Sequence, residues 1–196
     1  MQEHQVSAGG ERHKLPEPFF VLATQNPIEM EGTYPLPEAQ LDRFLFNVLI
    51  DYLPHADELA VVLQTTSRRP EPIEPLFSAE DVLRFQEVVR RVPIAEEVAS
   101  YAVRLAAATR PGREGATDFV NQWVTWGAGT RAAQTLVLGA KARALLNGNS
   151  HVSVGDIQAL ARPTLRHRVL LGYKAEAEGI TVDQTIDRLI ETVPGV

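Results

Sequence analysis

One amide and two guanidinium groups stand out in this sequence, because Asn26, Arg43 and Arg131 each occupy a position where a side chain can meet an anion. Asn26 follows the apolar run FFVLATQ, and Pro27 forces it into extended backbone just beyond that run. Ligands of open α/β sheets bind outside the carboxyl ends of the strands. An amide there offers a donor and an acceptor, suited to a water molecule or a phosphate oxygen. A loop-capping role accounts for the same residue without any ligand. Arg43 stands in PEAQLDRF, which reads as one or two helical turns beginning with Pro37 and delivering the chain into a strand. Leu41 and Phe44 are expected to point inward, with Asp42 and Arg43 turned outward. Such an arginine is ordinary surface unless a neighbouring subunit carries a polyphosphate, where a guanidinium supplied in trans stabilises transition-state charge.

Arg131 lies in GAGTRAAQ, where two glycines and a threonine open a helix. Backbone N–H groups are unsatisfied at such a start and the macrodipole is positive there. A cation in the first turn is mismatched by a few tenths of a kcal/mol, roughly, and an anion would remove the conflict. Helix start plus arginine therefore reads as a phosphate contact, with a solvated arginine as the alternative of equal weight.

Composition limits what else the chain can do. With 196 residues, 44% of them hydrophobic and 22% charged, it can bury a core. Its longest apolar runs fall far short of the roughly 20 residues of a membrane span. The opening MQEHQVSAGGERHKL has the features of neither a secretory signal nor a transit peptide, so a cytoplasmic location is expected. The absence of Cys excludes disulfides and thiolate metal sites, and the scattered histidines form no H-E-x-x-H pair. A formal net charge of −6 argues against general nucleic-acid binding. One basic cluster, Arg162, Arg166, His167, Arg168 and Lys174, is followed by the acids Glu176, Glu178, Asp183, Asp187 and Glu191. It reads as two solvated helix faces of opposite sign, or else as a docking surface.

The elements that must position these groups change character near residue 52. Before it, a hairpin is expected from Gln5 to Leu15, turning at Gly9-Gly10, followed by strands at Phe19–Thr24 and Phe44–Ile50 of the kind buried in a parallel sheet. After Leu53-Pro54 no strand is expected. Helices are predicted at Ala56–Thr66, Ser78–Arg91, Ile94–Thr109, Thr130–Asn147, Val154–Leu171 and Val182–Thr192. Ser78 with Asp81, Ser153 with Asp156 and Thr181 with Gln184 have capping-box spacing, and Pro163 should kink or end the fifth helix near its middle. Ser67–Leu76 and Arg110–Gly115 read as loops. The expected organisation is an α/β core portion over residues 1–52 and an all-helical domain over 53–196.

VLATQNPIEMEGTYPLPEAQLDRF resembles the segment from sensor 1 to the arginine finger of the MoxR family of AAA+ ATPases. GAGTRAAQTLVLGAKARALLNGNSHVSVGDIQALARPTLRHRVLL resembles that family's sensor 2 helix and the end of its lid. The resemblance implies the C-terminal part of an AAA+ P-loop NTPase sheet followed by an all-α lid. It implies that Asn26 is sensor 1, that Arg43 is the finger reaching an adjacent protomer's nucleotide, and that Arg131 is sensor 2. It further implies ATP and Mg²⁺ as cofactors and a homo-oligomeric, hexameric ring. Its implied work is chaperone-like remodelling or maturation of a client protein, with a von Willebrand factor A domain protein as partner.

Two of that family's motifs are absent. The three lysines are followed by Leu15, Ala142 and Ala175, so no G-x-x-x-x-G-K-S/T loop exists, and no acidic pair for Mg²⁺ is found. Met1 therefore reads as an internal Met of a longer parent or the edge of a truncated gene, and the chain alone is expected to be inactive. A non-catalytic helical adaptor, docking a partner through its charged patches, is the alternative.

Overall fold

The computed structural model describes residues 4–25, 36–67 and 72–195. The chain opens with a hairpin, β1 (Gln5–Ala8) and β2 (Glu11–Lys14), paired antiparallel with Gln5 opposite Lys14 and Ala8 opposite Glu11. Gly9 and Gly10 turn it with φ of 61° and 85°. Positive φ at both central residues is what a two-residue turn matched to strand twist demands, and glycine adopts it without strain.

The apolar runs 19–24 and 44–50 belong to no ladder, contrary to the strands expected there. A strand exists only through its neighbours' hydrogen bonds, and no described strand lies alongside either run. Their side chains are correspondingly exposed, Leu22 at 96% and Ile50 at 92%. Between them lies a single helical turn, α1 (Glu38–Leu41), beginning after Pro37 as its sequence dictates.

Helix α2 (His55–Ser67) buries no residue. Helix α3 (Ala79–Arg91) starts at a complete Ser78–Asp81 capping box, carries acids in its first turn and arginines in its last, and packs against the helical bundle. Among the described residues the buried apolar side chains all fall between Val92 and Leu189, so the core belongs to the helical domain. At its centre is α6 (Thr130–Leu146), packed against α3 and α4 (Glu96–Ala108). Ala132, Leu136, Ala140 and Ala144 recur every four residues and are fully buried. Three methyl side chains on that stripe let neighbouring helices approach closely.

The predicted helix Val154–Leu171 is divided. α7 (Val154–Ala159) and α8 (Ala161–Leu165) meet at Leu160, whose φ of −100° and ψ of 0° break the regular geometry. Pro163 lacks the N–H that would bond the carbonyl of residue 159, and its ring crowds that carbonyl. The disruption therefore falls a turn upstream of the proline. Two short strands, β3 (Val124–Trp126) and β4 (Leu170–Leu171), pair irregularly, so the helical part includes a small ribbon, contrary to the expectation of no strand after Leu53-Pro54. α5 (Asp118–Trp123), α9 (Tyr173–Ala177) and α10 (Val182–Thr192) complete it. The Ser153–Asp156 and Thr181–Gln184 capping boxes form as their spacing predicts.

Candidate functional site

The site begins where α1 ends. Asp42 N–H bonds the Glu38 carbonyl at 2.9 Å, Arg43 N–H that of Gln40 at 3.1 Å and Phe44 N–H that of Leu41 at 3.0 Å, so helical winding continues through the LDRF stretch. Winding sends successive side chains in different directions. Arg43 is exposed, as expected, and borders a cleft of about 300 Å³ with Leu36, Gln40 and Phe44. Its side chain makes no hydrogen bond or ion pair among the described residues. Asp42 does not turn outward. Its carboxylate faces the helical domain, where one oxygen accepts from Arg131 and the other from Arg168 Nε at 2.9 Å.

Arg131 is held at the start of α6 by the loop before it. Ala128 N–H bonds Thr109 Oγ1 at 2.8 Å, and Arg110 Nε donates to the Ala128 carbonyl at 2.7 Å. Gly127 makes this approach feasible, because a Cβ there would stand 2.4 Å from the Thr109 carbonyl oxygen. The anion called for by a cation in the first turn is thus present within the chain: it is the Asp42 carboxylate.

Three members of the basic cluster, Arg162, Arg166 and Arg168, are paired with acids of the same chain rather than simply solvated. Arg162 forms a bidentate pair with Asp187 at 2.7 and 2.6 Å, and Arg166 one with Asp183 at 2.8 Å for both bonds. Arg166 also donates to the Asn47 carbonyl at 2.8 Å. Arg168, its side chain 1% exposed, donates to the carbonyls of Asp42, Phe44 and Leu45 at 2.9, 2.6 and 3.2 Å and to that of Thr164. His167 Nε2 lies 3.2 Å from the Phe44 carbonyl, which can only accept, so that nitrogen carries the proton. Nδ1 is then an acceptor, buried without a partner among the described residues.

These contacts set the local electrostatics. Burial alone would raise the Asp42 carboxyl, but hydrogen bonds and charge from Arg168 and Arg131 outweigh it and hold it below the usual carboxylate range. Burial, reinforced by the Arg168 charge, pushes His167 down to about 4, so its imidazole is neutral at physiological pH. Asp183 is lowered chiefly by its hydrogen bonds from Arg166.

Of the three residues singled out from sequence, Arg131 and the Asp42-Arg43 turn come together. Asn26 lies outside the described residues. Sequence reasoning missed Asp42 and Arg168 as members of this cluster. An acid beside Arg43 was visible, but no spacing rule links it to partners 89 and 126 positions away. No group of three or more potential metal ligands occurs among the described residues.

Residues 1–46 match the family described as "ATPase family associated with various cellular activities (AAA)", and residues 119–189 match the AAA lid domain. The chain therefore carries part of an AAA core followed by an AAA lid. It is 38% identical over 193 residues to Chaperone MoxR1 of Mycobacterium tuberculosis, and 39% identical over 194 residues to the uncharacterized protein YeaC of Bacillus subtilis. Within the AAA class it is the C-terminal portion of a MoxR-family AAA+ ATPase. Each alignment takes in 98% of this chain but 51% and 58% of the relative, so the chain spans little more than half their length. The crystal structure of a protein from Cytophaga hutchinsonii described as an ATPase candidate superimposes with a TM-score of 0.92 at 39% identity, covering 100% of this chain and 59% of that one.

Proposed function

We propose that this chain supplies the arginine finger and lid of an ATP-hydrolysing, chaperone-like MoxR protein that works as a homo-oligomeric ring, six-membered in this reading. Residues 1–52 belong to its core and residues 53–196 to its lid. Arg43 reaches the nucleotide of the adjacent subunit, Arg131 reaches its own subunit's nucleotide from the lid, and Asn26 orients the attacking water. What supports this most is the state of Arg43. It is exposed and makes no ion pair among the described residues, whereas Arg131, Arg162, Arg166 and Arg168 are all engaged with acids of the same chain.

Guanidinium donors fit phosphate oxygens in geometry and charge. The described residues offer no matching carboxylate set for Mg²⁺, and the sequence has no phosphate-binding loop. The triphosphate's main cradle and the metal thus depend on residues outside this sequence. When bound, ATP with Mg²⁺ supplies the phosphoryl-transfer chemistry. A client protein, a von Willebrand factor A domain partner and a cytoplasmic setting complete the reading. Pairing of Arg162, Arg166 and Arg168 with acids of the same chain speaks against the adaptor alternative, which relied on those charges for docking.

The test is ATP turnover by the intact MoxR-type protein with and without Arg43→Ala. A finger supplied in trans is worth about 10³-fold or more in kcat, so a loss of that order is expected. Unchanged turnover would refute the assignment. The 196-residue chain by itself is expected to give no magnesium-dependent turnover.

A further inference from the structure

A guanidinium with several donors aimed at one short segment fixes that segment's backbone, and Arg168 has this relation to the turn that carries Arg43. Its Nη2 bonds the carbonyls of Asp42 at 2.9 Å and Phe44 at 2.6 Å, the residues immediately before and after Arg43. Nη1 adds the Leu45 carbonyl at 3.2 Å, and Nε takes the Asp42 carboxylate at 2.9 Å. The residues beside it extend the grip: His167 Nε2 donates to the Phe44 carbonyl and Arg166 to that of Asn47. Three consecutive side chains of the lid therefore hold the backbone on both sides of Arg43, while Arg43 itself stays exposed.

Burying a guanidinium costs several kcal/mol, on the order estimated for any buried ion, and an apolar side chain of similar volume often stabilises a core as well or better. What the apolar side chain cannot do is converge several directional bonds on carbonyls two residues apart. Lysine cannot do it either, because its ammonium lacks the planar fork. The Arg168 contacts thus serve to define a geometry rather than merely to fill space.

We propose that Arg168 is a positioning residue for the arginine finger, fixing the turn from which Arg43 projects and reaching the chemistry only through Arg43. The inference rests on the finger reading of Arg43. A displacement of about 1 Å in a reacting group can cost about 10²-fold in rate. Loss of the fork should therefore lower turnover without altering how the subunit binds its own ATP.

The test uses the intact MoxR-type protein as four versions: unmodified, Arg43→Ala, Arg168→Lys, and the two substitutions together. Thermal melting, KM for ATP, and single-turnover rates with radiolabelled ATP are measured for each. Arg168→Lys is expected to lower the rate by roughly 10- to 100-fold, with KM changed less than about two-fold because ground-state binding is untouched. Residues acting as one unit are not additive, so Arg168→Lys should add less than about two-fold to the loss already caused by Arg43→Ala. An unchanged rate in Arg168→Lys overturns the proposal. So does a loss that multiplies in the Arg43→Ala background, which would mark Arg168 as acting elsewhere. If Arg168→Lys does not fold, Arg168→Gln takes its place, and failure of both to fold while Arg43→Ala folds also overturns it. Full activity in Arg43→Ala instead defeats the finger assignment itself, an outcome distinct from the others.

Discussion

His167 makes the stability of this fold depend on pH between about 6.5 and 4. Its ordinary pKa of 6.5 applies in the unfolded chain, whereas in the folded protein burial and the Arg168 charge bring it down to about 4. The folded state thus disfavours the proton. The His167 contribution is fully present above the unfolded value and is lost as pH falls from 6.5 toward 4. Each pKa unit corresponds to about 1.4 kcal/mol, so lowering the pH from about 7.5 to about 4.5 should remove about 2–3 kcal/mol through this group. Glutamine in its place keeps an amide donor for the Phe44 carbonyl and carries no titrating group. Urea unfolding of the chain, followed by tryptophan fluorescence and circular dichroism at several pH values, measures the difference. In His167→Gln the decline over this range should flatten by roughly the stated amount. Carboxylates such as Asp42 contribute equally to both profiles and cancel. Parallel profiles for the two proteins would refute the assignment of a buried, neutral imidazole.

Gly127→Ala places a methyl group 2.4 Å from the Thr109 carbonyl oxygen and 2.7 Å from the Arg110 Cα. It should cost about 1–3 kcal/mol through overpacking, lowering the melting temperature by roughly 2–12 °C. Gly129→Ala, where a Cβ meets nothing within 4 Å, is the control and should fall by clearly less. Asp42→Ala strips the buried Arg168 of its carboxylate. It should destabilise by about 2–3 kcal/mol, toward the lower side of what breaking a buried pair costs because Asp42 is partly exposed. Because Asp42 is depressed when folded, its contribution is present above the unfolded carboxylate value of about 4 and is lost below it. Acid titration of the variant should show a shallower loss there. In the intact protein, Arg131→Ala should raise KM for ATP several-fold, and an unaltered KM would remove Arg131 from the nucleotide site.

Features governed by near neighbours along the chain are legible in the sequence itself. Ser78 with Asp81, Ser153 with Asp156 and Thr181 with Gln184 cap their helices because both partners lie within one turn. Gly9-Gly10 announces its hairpin for the same reason. The Pro163 break is visible too, but its location at Leu160 follows from the carbonyl that the ring crowds, a turn upstream. The runs 19–24 and 44–50 are readable as apolar, yet pairing is a property of a second strand, which a run cannot report about itself. β4, two residues long, leaves no periodicity to read. Asp42 is the hardest to anticipate. Its sequence neighbours suggest an outward acid, and only the folded lid brings Arg131 and Arg168 to it.

The stitching of residues 42–47 onto the lid has a mechanical side. Asn47 N–H bonds the Pro163 carbonyl at 2.8 Å, and the Phe46 ring occupies a notch that exists because position 139 is glycine, where a Cβ would stand 2.9 Å from that ring. Fastened at so many points, this segment travels with the helical bundle as one rigid lever. Any movement of the bundle therefore carries the turn bearing Arg43 with it. On the finger reading of Arg43, a displacement of the lid would thus be felt directly at the face that a neighbouring subunit would see, without a separate transmission element.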